Sequence, residues 1–196
     1  EADVMALCDV YKEKKIITTY CKNAIFIHAK SIEPYYFHEP WTQALENKKV
    51  LIIHPFVKTI ESQYKKRELL FDNEKILPEF KAIDFVKAVQ SAAGAESGFS
   101  CWKEALEYML KKIDKKDFEI AIVGAGAYAM PICAYIKKKG RIAIQMSGST
   151  QILFGIKGKR WDNHEIISNL YNNYWVRPSD EETPKQIEKV EGGSYW

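Results

Sequence analysis

The pattern with the clearest chemical meaning is Ile122-Val123-Gly124-Ala125-Gly126-Ala127-Tyr128-Ala129, an apolar run, then G-x-G-x-x-A, then a helical pattern. Glycines let a backbone turn sharply and approach a diphosphate, and a helix N-terminus offers free N–H groups and positive dipole. Gly124, Gly126, Ala127 and Tyr128 are therefore candidate phosphate-binding residues; the alternative is a tight turn with no ligand. A dinucleotide site needs an acidic residue about 20 positions on, to hold a ribose. Ile144, Gln145 and Met146 stand there instead, which disfavours a dinucleotide oxidoreductase and favours a phosphate or a nucleotide sugar.

Three more segments could join that loop. Met146-Ser147-Gly148-Ser149-Thr150 follows the next apolar run. Ser147, Gly148, Ser149 and Thr150 either line a ligand crevice at the carboxyl end of a strand or cap a following helix. Gly155-Ile156-Lys157-Gly158-Lys159-Arg160-Trp161 sets Lys157, Lys159 and Arg160 among glycines, which reads as an anion-binding turn with accessible N–H groups or as a solvated basic turn. In His54-Pro55-Phe56 the preceding apolar run delivers His54 to a strand end. There it serves either as a general base or as a hydrogen-bonded structural residue. The Tyr64-Lys65-Lys66-Arg67 cluster reads as solvated helix surface.

Other chemistries have no sequence support. There is no P-loop, no G-x-S-x-G and no HExxH, and Asp72-Asn73-Glu74, with the letters of D-x-E, reads as a loop. Cys8, Cys21, Cys101 and Cys133 lack metal-ligand spacing, so no metal site is predicted. They read as reduced thiols of a cytosolic protein. Lys and Arg number 29 against 26 Asp and Glu, a net charge of +3, too mild for a dedicated nucleic-acid binder. No apolar run approaches the ~18 residues of a membrane span. The chain opens on Glu1 rather than Met, as a fragment or processed product would.

The elements that must position these residues alternate. Strands are expected at Val50–His54, from Ala82 towards Val89, at Phe118–Val123 and at Arg141–Gln145, with helices over Thr59–Phe71, Trp102–Ile113 and Ala127–Lys139. This predicts an α/β, Rossmann-like, doubly wound and mainly parallel sheet with helices on both faces, in one domain over 1–196. Residues 1–45 are less regular: strands at Val4–Leu7 and Ala24–Ile27 flank a helix at Lys12–Tyr20, giving about six strands in the sheet, and Trp41–Asn47 reads as a short helix. A last helix is expected at His164–Tyr171, then an extended tail over 177–196 whose Tyr195 and Trp196 dock onto the body.

With these residues assembled, the chain resembles a family of bacterial proteins encoded among polysaccharide-biosynthesis genes and classed with GT-D-type glycosyltransferases. The matching stretches are Lys49–Phe56, Gln63–Phe71, Ile122–Tyr128, Leu153–Trp161 and Tyr174–Pro178. The resemblance implies a Rossmann-like fold that transfers a sugar from a nucleotide-diphosphate donor to a glycan acceptor. The setting it implies is the cytoplasm, peripheral to the inner membrane where assembly takes place there, with a homo-oligomer allowed. It also implies a D-x-E-like element in an N-terminal region preceding this chain, where acidic ligands for Mn or Mg would lie; no cofactor follows from the chain itself. In this reading the loops at Gly124–Tyr128, Ser147–Thr150 and Lys157–Arg160 close on the donor phosphates, and His54 is the nominee for the base. The alternative is a non-catalytic Rossmann-like module that binds a nucleotide or a partner within a larger protein.

Overall fold

The computed structural model describes residues 2–90 and 97–196. Its centre is a four-stranded, all-parallel sheet built from β3 (Lys49–His54), β4 (Ala82–Lys87), β5 (Ile120–Val123) and β6 (Ile142–Gln145), in the order β4-β3-β5-β6. The two central strands read as unbroken apolar runs because both of their faces are covered. Val50, Ile52, Ile120 and Ile122 point to one face, and Leu51, Ile53, Ala121 and Val123 to the other. Edge strand β6 is less protected, with Ile142 more than half exposed.

Helices follow from the same pattern. α3 (Trp102–Ile113) buries Ala105, Met109 and Ile113 at four-residue spacing, and α4 (Ala129–Lys138) buries Ala129, Ile132 and Ile136. Both lie on the Leu51 face. The opposite face is covered by α2 (Val57–Tyr64) through Ile60, by α5 (Ser149–Leu153), and by Trp161, Ile167 and Trp175. The doubly wound Rossmann-like expectation therefore holds.

Other expectations change. The strands β1 (Val4–Leu7) and β2 (Ile25–His28) pair with each other in parallel and form a separate two-stranded sheet, not part of a six-stranded one. The helix between them, α1 (Glu13–Tyr20), has no buried residue, and Asp3 pairs with Lys137 of α4 at 2.7 Å. The helix expected over Thr59–Phe71 stops at Tyr64. Beyond it the backbone shifts to tighter i→i+3 bonds, Lys66 N–H to Gln63 O, Leu69 N–H to Lys66 O and Leu70 N–H to Arg67 O. At His164–Tyr171 only a 3₁₀ turn, Ile167–Leu170, forms. There the His164 Nδ1 accepts from the Ile166 and Ile167 amides, and Ser168 Oγ donates to His164 O, local bonds that compete with a helix. Trp41–Leu45 is likewise 3₁₀.

The C-terminal third is held to α2 by buried polar bonds. Gln63 Nε2 donates to Gly155 O and Tyr174 O, and Trp175 Nε1 donates to Leu70 O. Arg177 grips Asp162 bidentately at 2.7 and 2.8 Å. The tail from 177 is not extended: it makes three 3₁₀ turns and packs back, with Tyr195 and Trp196 against the body as expected. The four cysteines are free. Among the described residues no helix is long and apolar enough to cross a membrane.

Candidate functional site

From β3 the chain steps outward to β4, then crosses back over β3 to β5. Strand order reverses between β3 and β5, and their carboxyl ends open onto the crevice where folds of this type bind ligands. His54 ends β3 and Gly124 follows β5, the two joined by the Gly124 N–H to Ile53 O bond at 2.9 Å.

The glycines of the loop do different work. A Cβ on Gly124 would lie 2.5 Å from His54 Cδ2, 2.9 Å from Ser147 O and 3.0 Å from Thr150 Oγ1. Gly124 is thus the packing point of three segments, with no room for a ligand. Gly126 has φ +51°, and a Cβ there would meet nothing within 4 Å. Its backbone is turned outward, and the Gly126 and Ala127 amides donate to no acceptor among the described residues. Tyr128, buried, follows in a 3₁₀ turn that leads into α4.

The segment after β6 is a strained turn. Met146 O accepts from Ser149 N–H at 3.0 Å, with Ser147 at φ +50° and Gly148 at φ −63°. That sign pattern is a type II′ turn with serine where glycine is the usual occupant. Ser149 Oγ donates to Glu33 at 2.5 Å. Thr150 is fully buried and its hydroxyl has no partner among the described residues, pressed against Gly124.

His54 is 5% exposed, and its Nδ1 accepts the Phe56 amide at 3.0 Å. Burial pushes its pKa down to about 3. With Nδ1 engaged as acceptor, the neutral ring carries its proton on Nε2. His54 thus offers a donor, and a ring this weakly basic is poorly suited to the general-base role the sequence nominated.

The basic turn is already occupied. Lys157 N–H donates to Val176 O, Lys159 N–H to Trp196 O and Arg160 N–H to Ser194 O, at 2.7–3.1 Å. Lys159 Nζ reaches Gly192 O, and the Arg160 guanidinium reaches Tyr195 OH at 3.0 Å and Glu191 at 3.6 Å. Gln151 Nε2 binds Lys157 O and Tyr195 O from beneath. The amides expected to meet a ligand meet the chain's own tail. Trp161 and Tyr195 both lie over Gly148, which ties this turn to the Ser147–Thr150 segment on the same rim as Gly124. Lys65 and Arg67, in the turns after α2, pair with surface glutamates, and the Arg67 guanidinium also lies over the Tyr64 ring.

Sequence reasoning missed Glu182. Its carboxylate is 2% exposed and accepts from Lys58 N–H, Thr59 N–H and Thr59 Oγ at 2.6–3.0 Å, capping α2 from the tail. The Lys58 and Thr59 amides at the start of α2 are satisfied by this internal carboxylate, whereas the Gly126 and Ala127 amides in the turn entering α4 donate to no acceptor among the described residues. The only sequence signal was an acidic pair, Glu181-Glu182, in an otherwise featureless tail.

Among the described residues no three His, Cys, Asp or Glu side chains converge as a metal site, so these residues do not supply one for Mn or Mg. No family model, curated protein or solved structure matches the chain.

Two outcomes test this geometry. In urea unfolding, Gly124→Ala costs about 3 kcal/mol through overpacking and Gly126→Ala about 1 kcal/mol through its positive φ; equal costs would reject the packing role of Gly124. For His54 the folded pKa of about 3 lies below the unfolded value of about 6.5. The unfolded chain therefore takes up the proton first. Stability is complete above pH 6.5 and falls by about 1.4 kcal/mol per pH unit below it, and His54→Gln removes that part of the slope.

Proposed function

We propose that this chain is the donor-binding domain of a glycosyltransferase, taking a nucleoside-diphosphate sugar for cell-surface polysaccharide assembly. The observation that carries the reading is the pair of open amides at Gly126 and Ala127. They stand beside the reversal of strand order and at the entry to α4, while the start of α2 is bonded to Glu182 and the Lys159 and Arg160 amides to the chain's own tail. A diphosphate placed there would gain two backbone donors and the dipole of α4. The same donors would stabilise the charge that builds on a departing nucleoside diphosphate during sugar transfer. The resemblance to GT-D-type proteins supports the choice of a nucleotide sugar among phosphate ligands, with a glycan as acceptor.

A second reading, a nucleotide-binding module without catalysis, is favoured by the state of His54. A buried imidazole held as a neutral donor would not deprotonate an acceptor hydroxyl. Hydrolysis or transfer of the donor by the protein would decide for the enzyme.

In thermal unfolding, UDP or GDP at 100 times its Kd should add about 2.7 kcal/mol of stability. Gly126→Asp should abolish that gain. Aspartate tolerates positive φ and there is open space around Gly126, so the fold is kept while a negative charge is set where the phosphates would lie. Stabilisation by both nucleotides that survives in Gly126→Asp would reject the site, and no stabilisation of the wild type would reject the function.

A further inference from the structure

We infer that Trp102 is the stacking platform for the base of the nucleoside diphosphate whose phosphates lie on the Gly126 and Ala127 amides, an inference that rests on the reading above. Trp102 opens α3. Its ring stacks on that of Tyr128, the centroids 5.4 Å apart and the planes within 6° of parallel. Tyr128 is 4% exposed and belongs to the 3₁₀ turn that begins at Gly126. The phosphate loop therefore fixes the orientation of the tryptophan beside it.

Tyr128 stacks, offset, against Trp102, yet the tryptophan remains 46% exposed. A large indole held by a buried ring, with nearly half of its surface exposed, is the kind of platform on which nucleobases stack, whatever their identity. The other rim aromatics are committed to one another. Trp196 packs edge-on to Phe56 at 5.9 Å, and Tyr195 edge-on to Trp161 at 6.1 Å. Only Ala127 separates Gly126 from Tyr128, a reach of about 7 Å at most, so the ring that stacks on Trp102 belongs to the same short turn as the open amides. The phosphates would set register on the loop, and the indole would select nucleotides over inorganic anions.

Calorimetric titration of UDP, GDP and inorganic pyrophosphate into the wild type, Trp102→Ala and Trp102→Phe tests this. Trp102→Ala should weaken both nucleotides roughly five- to hundredfold and leave pyrophosphate affinity unchanged, which also shows that the loop is intact. Trp102→Phe should retain most of the nucleotide affinity. Unchanged nucleotide binding by Trp102→Ala would overturn the inference alone. A joint loss of nucleotides and pyrophosphate would also overturn it, since Trp102 would then be supporting the loop rather than the base. Failure of the wild type to bind either nucleotide would overturn it together with the proposed function.

Discussion

The close approach at Gly124 is the constraint from which the rim follows. Only a residue without a side chain lets the end of β5 reach His54 Cδ2, the Ser147 carbonyl and the Thr150 hydroxyl at once. That contact locks the β3 and β6 connections against the β5 loop. It also explains the burial of His54, whose depressed pKa follows from lost hydration. With Gly124 consumed by packing and Ala125 still buried, the chain turns outward two residues later, where Gly126 in its left-handed conformation brings its own amide and that of Ala127 to the surface.

The tail divides the rim into two unlike halves. On the α2 side the Lys58 and Thr59 amides meet Glu182, and in the basic turn the Lys159 and Arg160 amides meet the carbonyls of Trp196 and Ser194. A buried carboxylate that accepts three bonds at a helix N-terminus is a favourable placement for its charge. Together with the packing of Trp196 on Phe56, it holds residues 179–196 in place. On the α3–α4 side, among the described residues, the first-turn carboxylate Glu104 accepts only from Ser100, and the Gly126 and Ala127 amides have no acceptor. The tail thus takes up the Lys159 and Arg160 amides and side chains of the basic turn.

Much of the sheet was legible in the sequence because its central strands are buried on both faces and so appear as short, unbroken apolar runs. The glycine loop was legible as well, since its turn needs glycine locally. Less legible was anything that depends on partners far along the chain. Val4–Leu7 and Ile25–His28 are apolar enough to be strands, but nothing in them says whether they join the main sheet or pair apart. Glu182 meets Lys58 and Thr59 across more than 120 residues, and one glutamate in a charged tail carries no mark of that. For the same reason the basic turn 157–160 read as open: its Lys159 and Arg160 amides are satisfied by Trp196 and Ser194, over 30 positions away. His54 was placed correctly at a strand end, but its protonation state depends on how deeply the end is buried.

The most direct test of the central claim, that the open amides entering α4 bind the diphosphate, is amide-resolved NMR of the uniformly ¹⁵N-labelled protein during titration with UDP. The account predicts that the Gly126 and Ala127 amides shift most, and in proportion to occupancy, while those of Lys58 and Thr59 stay in place on the Glu182 carboxylate. Dominant shifts at Lys58 and Thr59, or at Lys159 and Arg160, would contradict it.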